Sequence, residues 1–405
     1  SSTYAFTVKD RKLRIVSDDI ILIGKQAAYA RSNLPLIFTG AGVAANGKVA
    51  ADVKGKAAIV LFGADNLPDN MKSPRARREA LIAAGAEAVI FVGDSQGNWP
   101  TLRRQLLSRP IALEAREKRA PVEGVISTEF MVELVTAAGQ DWDKLRANAK
   151  QADYVGEALG IDAGLDVKTD LYRFNSSNVI GKIPGRRKNS GALLFMGHWD
   201  HLGICAPEGA PDRICNGAVD NASGIAVMNE VAEALAKKKH DRDIYFVATT
   251  AEESGLLGAY AFAQKPVLPL DQIILSLNVD TIAIAPRGSK VAIIGRGTTP
   301  LDAAVEAVSK KTGRMIESST NANAFIQRQD GWALTQKGVP ALMVGGSFAD
   351  LDLLQKFLGS DYHGPNDGLM DATELGGAAE DADLHIALGR YFADTKKYKS
   401  KKAGE

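Results

Sequence analysis

Short apolar runs alternate with amphipathic segments along most of this chain. In the first half, AAIVLF at 57–62 and AVIFV at 88–92 have the length and composition of buried strands. The segment 74–84 between them has helical character and is followed by Gly85, a residue type that commonly ends helices. A further strand and helix are predicted within 125–138. The first half therefore predicts a small α/β unit.

The second half repeats this alternation over a longer stretch. Buried strands are predicted at 192–197, 243–249, 272–279, 291–294 and 340–345. Helices are predicted at 223–239, 256–264, 301–311 and 374–395. Strands that alternate with helices are typical of a mostly parallel sheet with helices on both faces, so we predict an α/β fold.

Composition and charge narrow the class of protein. Apolar residues make up 45% and charged residues 24% of the 405 positions, which is ordinary for a globular chain of two to three domains. The 49 Lys and Arg residues balance 48 Asp and Glu residues. Since a nucleic-acid binder normally carries a basic surplus, we expect no nucleic-acid partner. No apolar stretch approaches the roughly 18 residues of a membrane span, so we expect none.

The chain has two cysteines, Cys205 and Cys215, separated by a loop rich in Pro and Gly that suits a hairpin. One prediction is a disulfide between them, and the alternative is two separate buried thiols. The chain opens with Ser-Ser-Thr and shows no signal peptide, so we interpret residue 1 as a processed end. A removed leader and a disulfide would agree with a secreted or periplasmic location.

Metal-ligand types of side chain follow three predicted strands. His198 and Asp200 follow the first, Glu252 and Glu253 the second, and Asp280 the third. The carboxyl ends of parallel strands meet at one edge of a sheet, where ligands gather. Imidazole and carboxylate groups at one edge suit a divalent metal site.

Each candidate also has an ordinary structural interpretation. A strand-end His is often a polar loop residue, Asp220 before the helix at 223–239 could be its N-cap, and adjacent glutamates favour a helix start. Asp280 differs, because a carboxylate that closes an apolar strand needs a partner. The shared edge makes a metal site the better interpretation of the whole set.

Five motifs carry a family resemblance. They are GHWDHLG (197–203), NGAVDNASG (216–224), TAEESGLLG (250–258), LNVDTIA (277–283) and DYHGPND (361–367). In this order they resemble the co-catalytic zinc aminopeptidases, the family of bacterial leucyl aminopeptidase, aminopeptidase Y and glutamate carboxypeptidase. The resemblance implies a zinc exopeptidase fold and a zinc-dependent exopeptidase. We interpret it as an aminopeptidase whose substrates are peptides with a free N-terminus.

The resemblance also implies the metal centre. His198 and Asp280 resemble the ligands of a first zinc, Glu253 and His363 those of a second, and Asp220 the carboxylate that bridges both. Two zinc ions per chain are therefore expected. A shared carboxylate agrees with the chemistry of two-metal sites, in which neighbouring ions clamp the reacting oxygens.

Three further residues surround these ligands in the sequence. Glu252 resembles the family's general base. Asp200 resembles the carboxylate that orients the imidazole of His198, as metal-bound histidines usually require. His201, in the same motif as His198, has no family role that we can assign.

The first part of the chain carries a second resemblance. Segment 34–155 resembles the protease-associated domain that many members carry as an insert, on KGKAAIVLF (54–62) and EALIAAGAEAVIF (79–91). This implies that 1–33 is an N-terminal part of the catalytic domain or a lead-in, and that 156–405 is the zinc peptidase catalytic domain. The protease-associated domain is expected to act as a lid that limits access to chain ends.

The sequence departs from the family near its oxyanion site, and three alternatives stay open. Gln329-Asp330-Gly331 stands where members often have Ser-Asp-His, and Ile326 and Arg328 stand near the place of a family tyrosine. A glutamate-type carboxypeptidase or dipeptidase would need a basic residue at the substrate carboxylate, and the candidates are Arg287, Arg296 and Arg328. A single-zinc glutaminyl cyclase is disfavoured because the bridging-site ligands are present. A non-catalytic receptor-like module would show lost ligands.

Overall fold

The computed structural model describes residues 2–8, 11–13, 19–63, 67–68, 71–93, 111–114, 120–151, 153–369 and 374–400. The chain forms two compact units, Ser1–Phe174 and Asn175–Glu405. Across these described ranges, every helix is too short or too polar to cross a bilayer.

The first unit is built on an eight-stranded sheet. Its strands are β1 (Ser2–Val8), β2 (Arg11–Leu13), β3 (Ile20–Gly24), β4 (Ala28–Phe38), β5 (Ala57–Leu61), β6 (Ala88–Gly93), β7 (Val122–Ser127) and β8 (Glu157–Lys168). Their order is β2-β1-β8-β4-β5-β6-β7-β3. Strands β4 to β7 pair in parallel, and the outer pairings are antiparallel.

In the described residues of the first unit, three helices accompany this sheet, namely α1 (Pro74–Ala83), α2 (Thr128–Ala137) and α3 (Trp142–Asn148). The side chain of Ser73 accepts the backbone N–H of Ala76 at the start of α1, and Ser127 accepts that of Phe130 at the start of α2. Such caps satisfy backbone donors that the helix leaves unpaired. The predicted helices at 74–84 and within 125–138 are confirmed to within a residue.

The two units differ in extent from the predicted domains. Segment 1–33 was predicted to be an N-terminal part of the catalytic domain or a lead-in, and in the structure β1 pairs with β8 and β3 pairs with β7, so its strands belong to the sheet of the first unit. Strand β8 begins beyond the predicted boundary at 155/156 and pairs with β4. The reason is strand pairing between distant parts of the chain, which a local pattern does not reveal. The boundary between the units falls after Phe174.

The second unit contains a six-stranded, mostly parallel sheet. Its strands are β9 (Val179–Ile183), β10 (Ala192–His198), β13 (Asp243–Thr249), β14 (Ile273–Asn278), β15 (Ala292–Ile294) and β16 (Ala341–Gly345), and a separate hairpin is formed by β11 (Gly203–Ile204) and β12 (Ile214–Cys215). The order is β15-β16-β14-β10-β13-β9, in which the four central strands are parallel and the two edge strands antiparallel. The predicted mostly parallel sheet is confirmed.

Helices cover both faces of this sheet. They are α4 (Ser223–Ala236), α5 (Leu257–Gln264), α6 (Asp302–Lys311), α7 (Gly331–Thr335), α8 (Leu351–Ser360) and α9 (Gly376–Phe392). Side chains of β10 alternate between the faces, as a strand requires. Leu193 and Phe195 pack with α4, α6 and α9 in one core. Leu194 and Met196 pack with α5 and α7 in the other.

Candidate metal centre

Three central strands deliver polar side chains to one edge of the second sheet. Strand β10 ends at the buried His198, and β14 is followed by the buried Asp280. Strand β13 is followed by Glu252 and Glu253, which lie on the turn before α5. The loop after β10 returns Asp220 to the same place at the start of α4. The edge predicted from the sequence therefore brings these residues together.

The first group of ligand-type atoms comprises His198, Asp220 and Asp280, whose atoms all lie within 4.8 Å of one another. Nε2 of His198 is 3.1 Å from Oδ1 of Asp220 and 3.7 Å from Oδ1 of Asp280. Burial alone would lower the pKa of His198, but the charge of Asp280 and the hydrogen bond with Asp220 raise it well above its usual value. A buried imidazole facing two carboxylates has the composition of a divalent metal site.

Asp220 faces a second group as well as the first. Its Oδ2 lies 3.3 Å from Nε2 of His363, while its Oδ1 faces His198. Burial would raise the pKa of Asp220, but the hydrogen bonds with these two imidazoles lower it. Its backbone N–H donates to Oδ2 of Asp367 at 3.1 Å, which fixes the turn. Asp220 is thus held where one carboxylate can serve two groups.

The second group joins Glu253 to two imidazoles. Oε2 of Glu253 is 2.9 Å from Nε2 of His363, and Oε1 is 2.6 Å from Nδ1 of His201. Burial would lower the pKa of His363, but hydrogen bonds with Asp220 and Glu253 raise it to about 9. Ligand-type atoms of His201, Asp220 and Glu253 also lie within 4.8 Å of one another. Sequence reasoning gave His201 no role, although its position three residues after His198 was an available signal.

The carboxylate of Asp200, which was predicted to orient the imidazole of His198, contacts the turn after β13. Its two oxygens accept the backbone N–H groups of Glu252, at 3.0 Å, and Glu253, at 3.4 Å. Nδ1 of His198 is 3.0 Å from the backbone carbonyl oxygen of Asp200 and 3.8 Å from its carboxylate. The carbonyl therefore takes the orienting position. The reason is that backbone donors at the strand end need acceptors, and the Asp200 carboxylate supplies them.

Glu252 lines a cavity beside both groups, together with Asp220 and Asp280. Burial, reinforced by the negative charges of Asp330, Asp280 and Glu253, raises the pKa of Glu252 well above its usual value, although His198 opposes the shift. The apolar part of the cavity wall is formed by Phe325, Met343, Phe348, Leu354 and Leu358. This cavity places a proton-accepting group next to an apolar recess.

Two further polar residues, Arg328 and Tyr362, line this cavity. A terminal nitrogen of Arg328 lies 3.5 Å from the hydroxyl oxygen of Tyr362, and both side chains line the cavity. The ring of Tyr362 stacks on His363 with 3.7 Å between centroids. Burial raises the pKa of Tyr362, so its hydroxyl stays protonated. Arg328 was named only as a possible carboxylate ligand, and Tyr362 was not singled out within its motif.

Asp330 contacts the end of β13 at the same edge of the sheet. It is almost fully buried, and its Oδ2 accepts the hydroxyl of Thr249 at the end of β13. Burial raises the pKa of Asp330 to about 7. The sequence marked this residue only as part of a departure from the family pattern.

The loop between the two groups is closed by a disulfide. Cys205 and Cys215 are bonded, with 5.8 Å between their Cα atoms, and the predicted bridge is confirmed. Strands β11 and β12 pair antiparallel within this loop, as the hairpin prediction required. The bridge lies between His201 and Asp220 in the sequence, so it restrains the segment that connects these two residues.

The residues present fit zinc. Both ring nitrogens of His201 and Oε1 of Glu253 are buried and lack a hydrogen-bond partner in the described part of the chain. Buried polar atoms in native proteins nearly always have a partner. Imidazole nitrogens and carboxylate oxygens are zinc ligands, and a bound cation would satisfy these atoms.

Comparison with curated proteins finds aminopeptidases. The chain is 27% identical to aminopeptidase NAALADL1 of Rattus norvegicus over 212 residues, which cover 49% of this chain and 25% of that protein. It is 27% identical to aminopeptidase YwaD of Bacillus subtilis (strain 168) over 261 residues, which cover 63% of this chain and 46% of that protein. The matches span less than half the length of these two relatives.

Comparison with solved structures and family models places the fold. The aminopeptidase from Aneurinibacillus sp. strain AM-1 superimposes with a TM-score of 0.52 at 19% identity, covering 96% of this chain and 81% of that one. This likeness shows a shared fold. Peptidase family M28 matches residues 178–385, just over half of the chain and the segment that holds both groups of ligand-type residues. The chain therefore belongs to peptidase family M28.

Proposed function

We propose that the protein is a zinc-dependent aminopeptidase, which hydrolyses the N-terminal bond of peptides. The observation that carries this proposal is the pair of acid and imidazole groups that share Asp220 beside Glu252 in one cavity. Membership of a peptidase family and the aminopeptidase relatives support the class of reaction.

The proposed centre holds two zinc ions per chain. We assign His198 and Asp280 to one ion, Glu253 and His363 to the other, and Asp220 to both. The support is that Asp220 presents one oxygen to His198 and the other to His363. Bound zinc would polarise the scissile carbonyl and make a water nucleophilic near neutral pH.

Glu252 is the proposed general base. It accepts the proton of the attacking water and passes it to the leaving amine. A general base acts best when its pKa lies near the working pH. Burial raises the pKa of Glu252, which supports this role. Asp200 holds the backbone of Glu252 and Glu253 through two hydrogen bonds, and we propose that it keeps the base in position.

Arg328 and Tyr362 are the proposed donors to the carbonyl oxygen as negative charge develops on it. Both line the cavity that contains Glu252. The raised pKa of Tyr362 keeps its hydroxyl available as a donor. Donors fixed before the reaction stabilise such charge without reorganising. The apolar wall formed by residues such as Phe348 and Leu354 favours a substrate with an apolar side chain.

One observation supports a carboxypeptidase as the second candidate. Of the three arginines that the sequence offered, Arg287 and Arg296 pair with Glu380 and Glu306. Arg328 lines the cavity, where a guanidinium could bind the C-terminal carboxylate of a substrate.

A panel of peptides tests the two candidates. The zinc-loaded protein is assayed on a peptide with both ends free, on its N-acetylated form and on its C-amidated form. An aminopeptidase is expected to hydrolyse the peptide with free ends and the C-amidated peptide, but not the N-acetylated peptide. Loss of hydrolysis for the C-amidated peptide alone would favour the carboxypeptidase. No hydrolysis of any peptide by protein with two bound zinc ions would reject both candidates.

Two further proposals concern the whole chain. We propose a secreted or periplasmic location, supported by the disulfide between Cys205 and Cys215, since such bonds persist in oxidising compartments. We also propose that the first unit is a protease-associated domain, supported by the resemblance of 54–62 and 79–91 and by its α/β architecture. Its action as a lid stays a prediction.

A further inference from the structure

The side chain of His201 is largely enclosed, and its two ring nitrogens are buried. Its side chain is 9% exposed, and neither ring nitrogen has a hydrogen-bond partner in the part of the chain that the structure describes. Leaving polar atoms buried and unpaired costs free energy. We therefore expect His201 to bind a partner through its imidazole, and histidine is the commonest metal ligand in proteins.

The carboxylate of Glu253 lies next to His201, and its Oε1 atom is likewise buried. Nδ1 of His201 approaches Oε1 of Glu253 to 2.6 Å, yet among the residues that the structure describes neither atom has a hydrogen-bond partner, so the approach is not aligned as an N–H···O bond. The side chain of Glu253 is only 7% exposed. An unprotonated imidazole nitrogen and a carboxylate oxygen both offer lone pairs. Two such atoms at this separation are stabilised by a cation that both contact.

The backbone around His201 leaves room for its ring. A Cβ atom at Gly217 would lie 2.5 Å from Cγ of His201, and Gly217 has a φ of +65°. A side chain at this position would therefore displace the imidazole. The hairpin closed by Cys205 and Cys215 connects the two residues and holds them together.

We propose that His201 is a fourth protein ligand of the second zinc ion, beside Asp220, Glu253 and His363. The inference rests on the proposed zinc centre. Zinc is usually bound tetrahedrally, and a site with four protein ligands is closed, whereas a site with three keeps a position for water or substrate. The group of His198, Asp220 and Asp280 offers three ligands. The second ion is then the more tightly held and the first is the exchangeable one.

Zinc binding by variants tests this assignment without any assay of activity. Wild type, His201→Ala, His201→Asn and His201→Cys are equilibrated at a series of free Zn²⁺ concentrations set by a chelator, and bound zinc is measured. We expect wild type to bind two ions. His201→Ala and His201→Asn should weaken the tighter ion by at least about 100-fold, more than the roughly 10–100-fold typical of a lost outer partner. His201→Cys should keep it, because thiolate binds zinc.

The alternatives give different patterns. An Asn side chain can place an N–H donor near the position of Nδ1, so unchanged zinc binding by His201→Asn alone would show that His201 only donates to Glu253 and would overturn the proposal. Unchanged binding by His201→Ala would show a packing role and would also overturn it. His240→Ala removes another buried imidazole, which contacts the carbonyl of Leu235, and serves as the control for lost packing.

Failure of this inference is distinguishable from failure of the proposed function. Wild type that binds two ions and hydrolyses peptides, with unchanged affinity in His201→Ala, would refute only the role of His201. Wild type that binds no second ion would refute both. Circular dichroism of each variant shows whether the fold is kept.

Discussion

Glu252 and Glu253 are neighbours in the sequence, but their carboxylates meet different surroundings. Glu253 contacts two imidazoles, whereas Glu252 lines the cavity. Glu252→Gln keeps the shape of the side chain but cannot accept a proton. We predict that zinc content stays at two ions while kcat falls by roughly 10²–10⁴, the usual contribution of a general base.

Glu253→Gln is the matched control for this prediction. It replaces a proposed ligand, so we expect weaker binding of the second zinc and partial recovery of kcat with excess metal. Zinc content and kcat of both variants are measured together. Near-normal turnover of Glu252→Gln would show that the base has been assigned to the wrong residue.

Tyr362 supplies a second prediction at this scale. Its hydroxyl lies in the cavity beside Arg328 and stays protonated because burial raises its pKa. Tyr362→Phe keeps the ring that stacks on His363 and removes only the donor. We predict a fall in kcat of about 10²–10³ with little change in KM, as when one oxyanion donor is lost. A rise in KM with unchanged kcat would instead assign the hydroxyl to substrate binding.

At the scale of elements, α9 carries a buried group that responds to acid. Nδ1 of His385 lies 2.7 Å from the carbonyl oxygen of Asp381, and burial lowers the pKa of His385 from 6.5 to about 4. The unfolded chain therefore takes up this proton first as the pH falls. The contribution of the neutral His385 to the free energy of unfolding is therefore fully present above about pH 6.5. It is lost progressively as the pH falls to about 4, by about 3 kcal/mol in total.

His385→Leu tests this linkage, since it fills similar space and does not titrate. Denaturant unfolding of wild type and variant is measured at pH 7 and pH 4.5. We expect the free energy of unfolding of wild type to fall by about 2–3 kcal/mol more than that of the variant. Equal losses in both proteins would mean that His385 is not a source of acid sensitivity.

Elements with strong apolar patterns could be predicted from the sequence, and strand partners could not. The run at 192–197 gave β10 because a buried parallel strand is apolar on both faces. The pairing of β1 with β8 joins residues more than 150 positions apart, so no local pattern assigned segment 1–33 to the first unit. Helix α8 was not predicted, although Leu, Lys and Gln are good helix formers and a Gly in the last turn is compatible with a helix end.

The candidate site shows the same limit. The metal-ligand types could be predicted because they follow strands that share an edge. The contact of His201 with Glu253 joins residues that are distant in the sequence, so no local pattern identifies this partner. The carboxylate of Asp200 was assigned to His198, but in the structure it accepts hydrogen bonds from the backbone N–H groups of the turn after β13. The sequence thus indicated which residues lie at this edge of the sheet better than it indicated what each side chain contacts there.

At the scale of the whole molecule, the two units have separate hydrophobic cores. The sheet of the first unit packs its own cluster around residues such as Phe38 and Ile90, and the second packs around residues such as Phe195 and Leu277. Every residue of the proposed zinc centre belongs to the second unit. Without a cation, the carboxylates of Asp220, Glu252, Glu253 and Asp280 would repel one another within a small volume, so the metal is expected to stabilise the unit that holds them.

Removal of zinc should therefore act on one unit. A ligand present at 100 times its dissociation constant stabilises the folded state by about 2.7 kcal/mol, and chelation withdraws that stabilisation. We predict that a chelator speeds amide hydrogen exchange in peptides from β10, β13 and the turn before α4, while peptides from β5 to β7 keep their protection. Exchange followed by mass spectrometry measures both sets in one sample, and added Zn²⁺ should restore the slow rates. Faster exchange throughout both units, or no change in either, would contradict a zinc centre confined to the second unit.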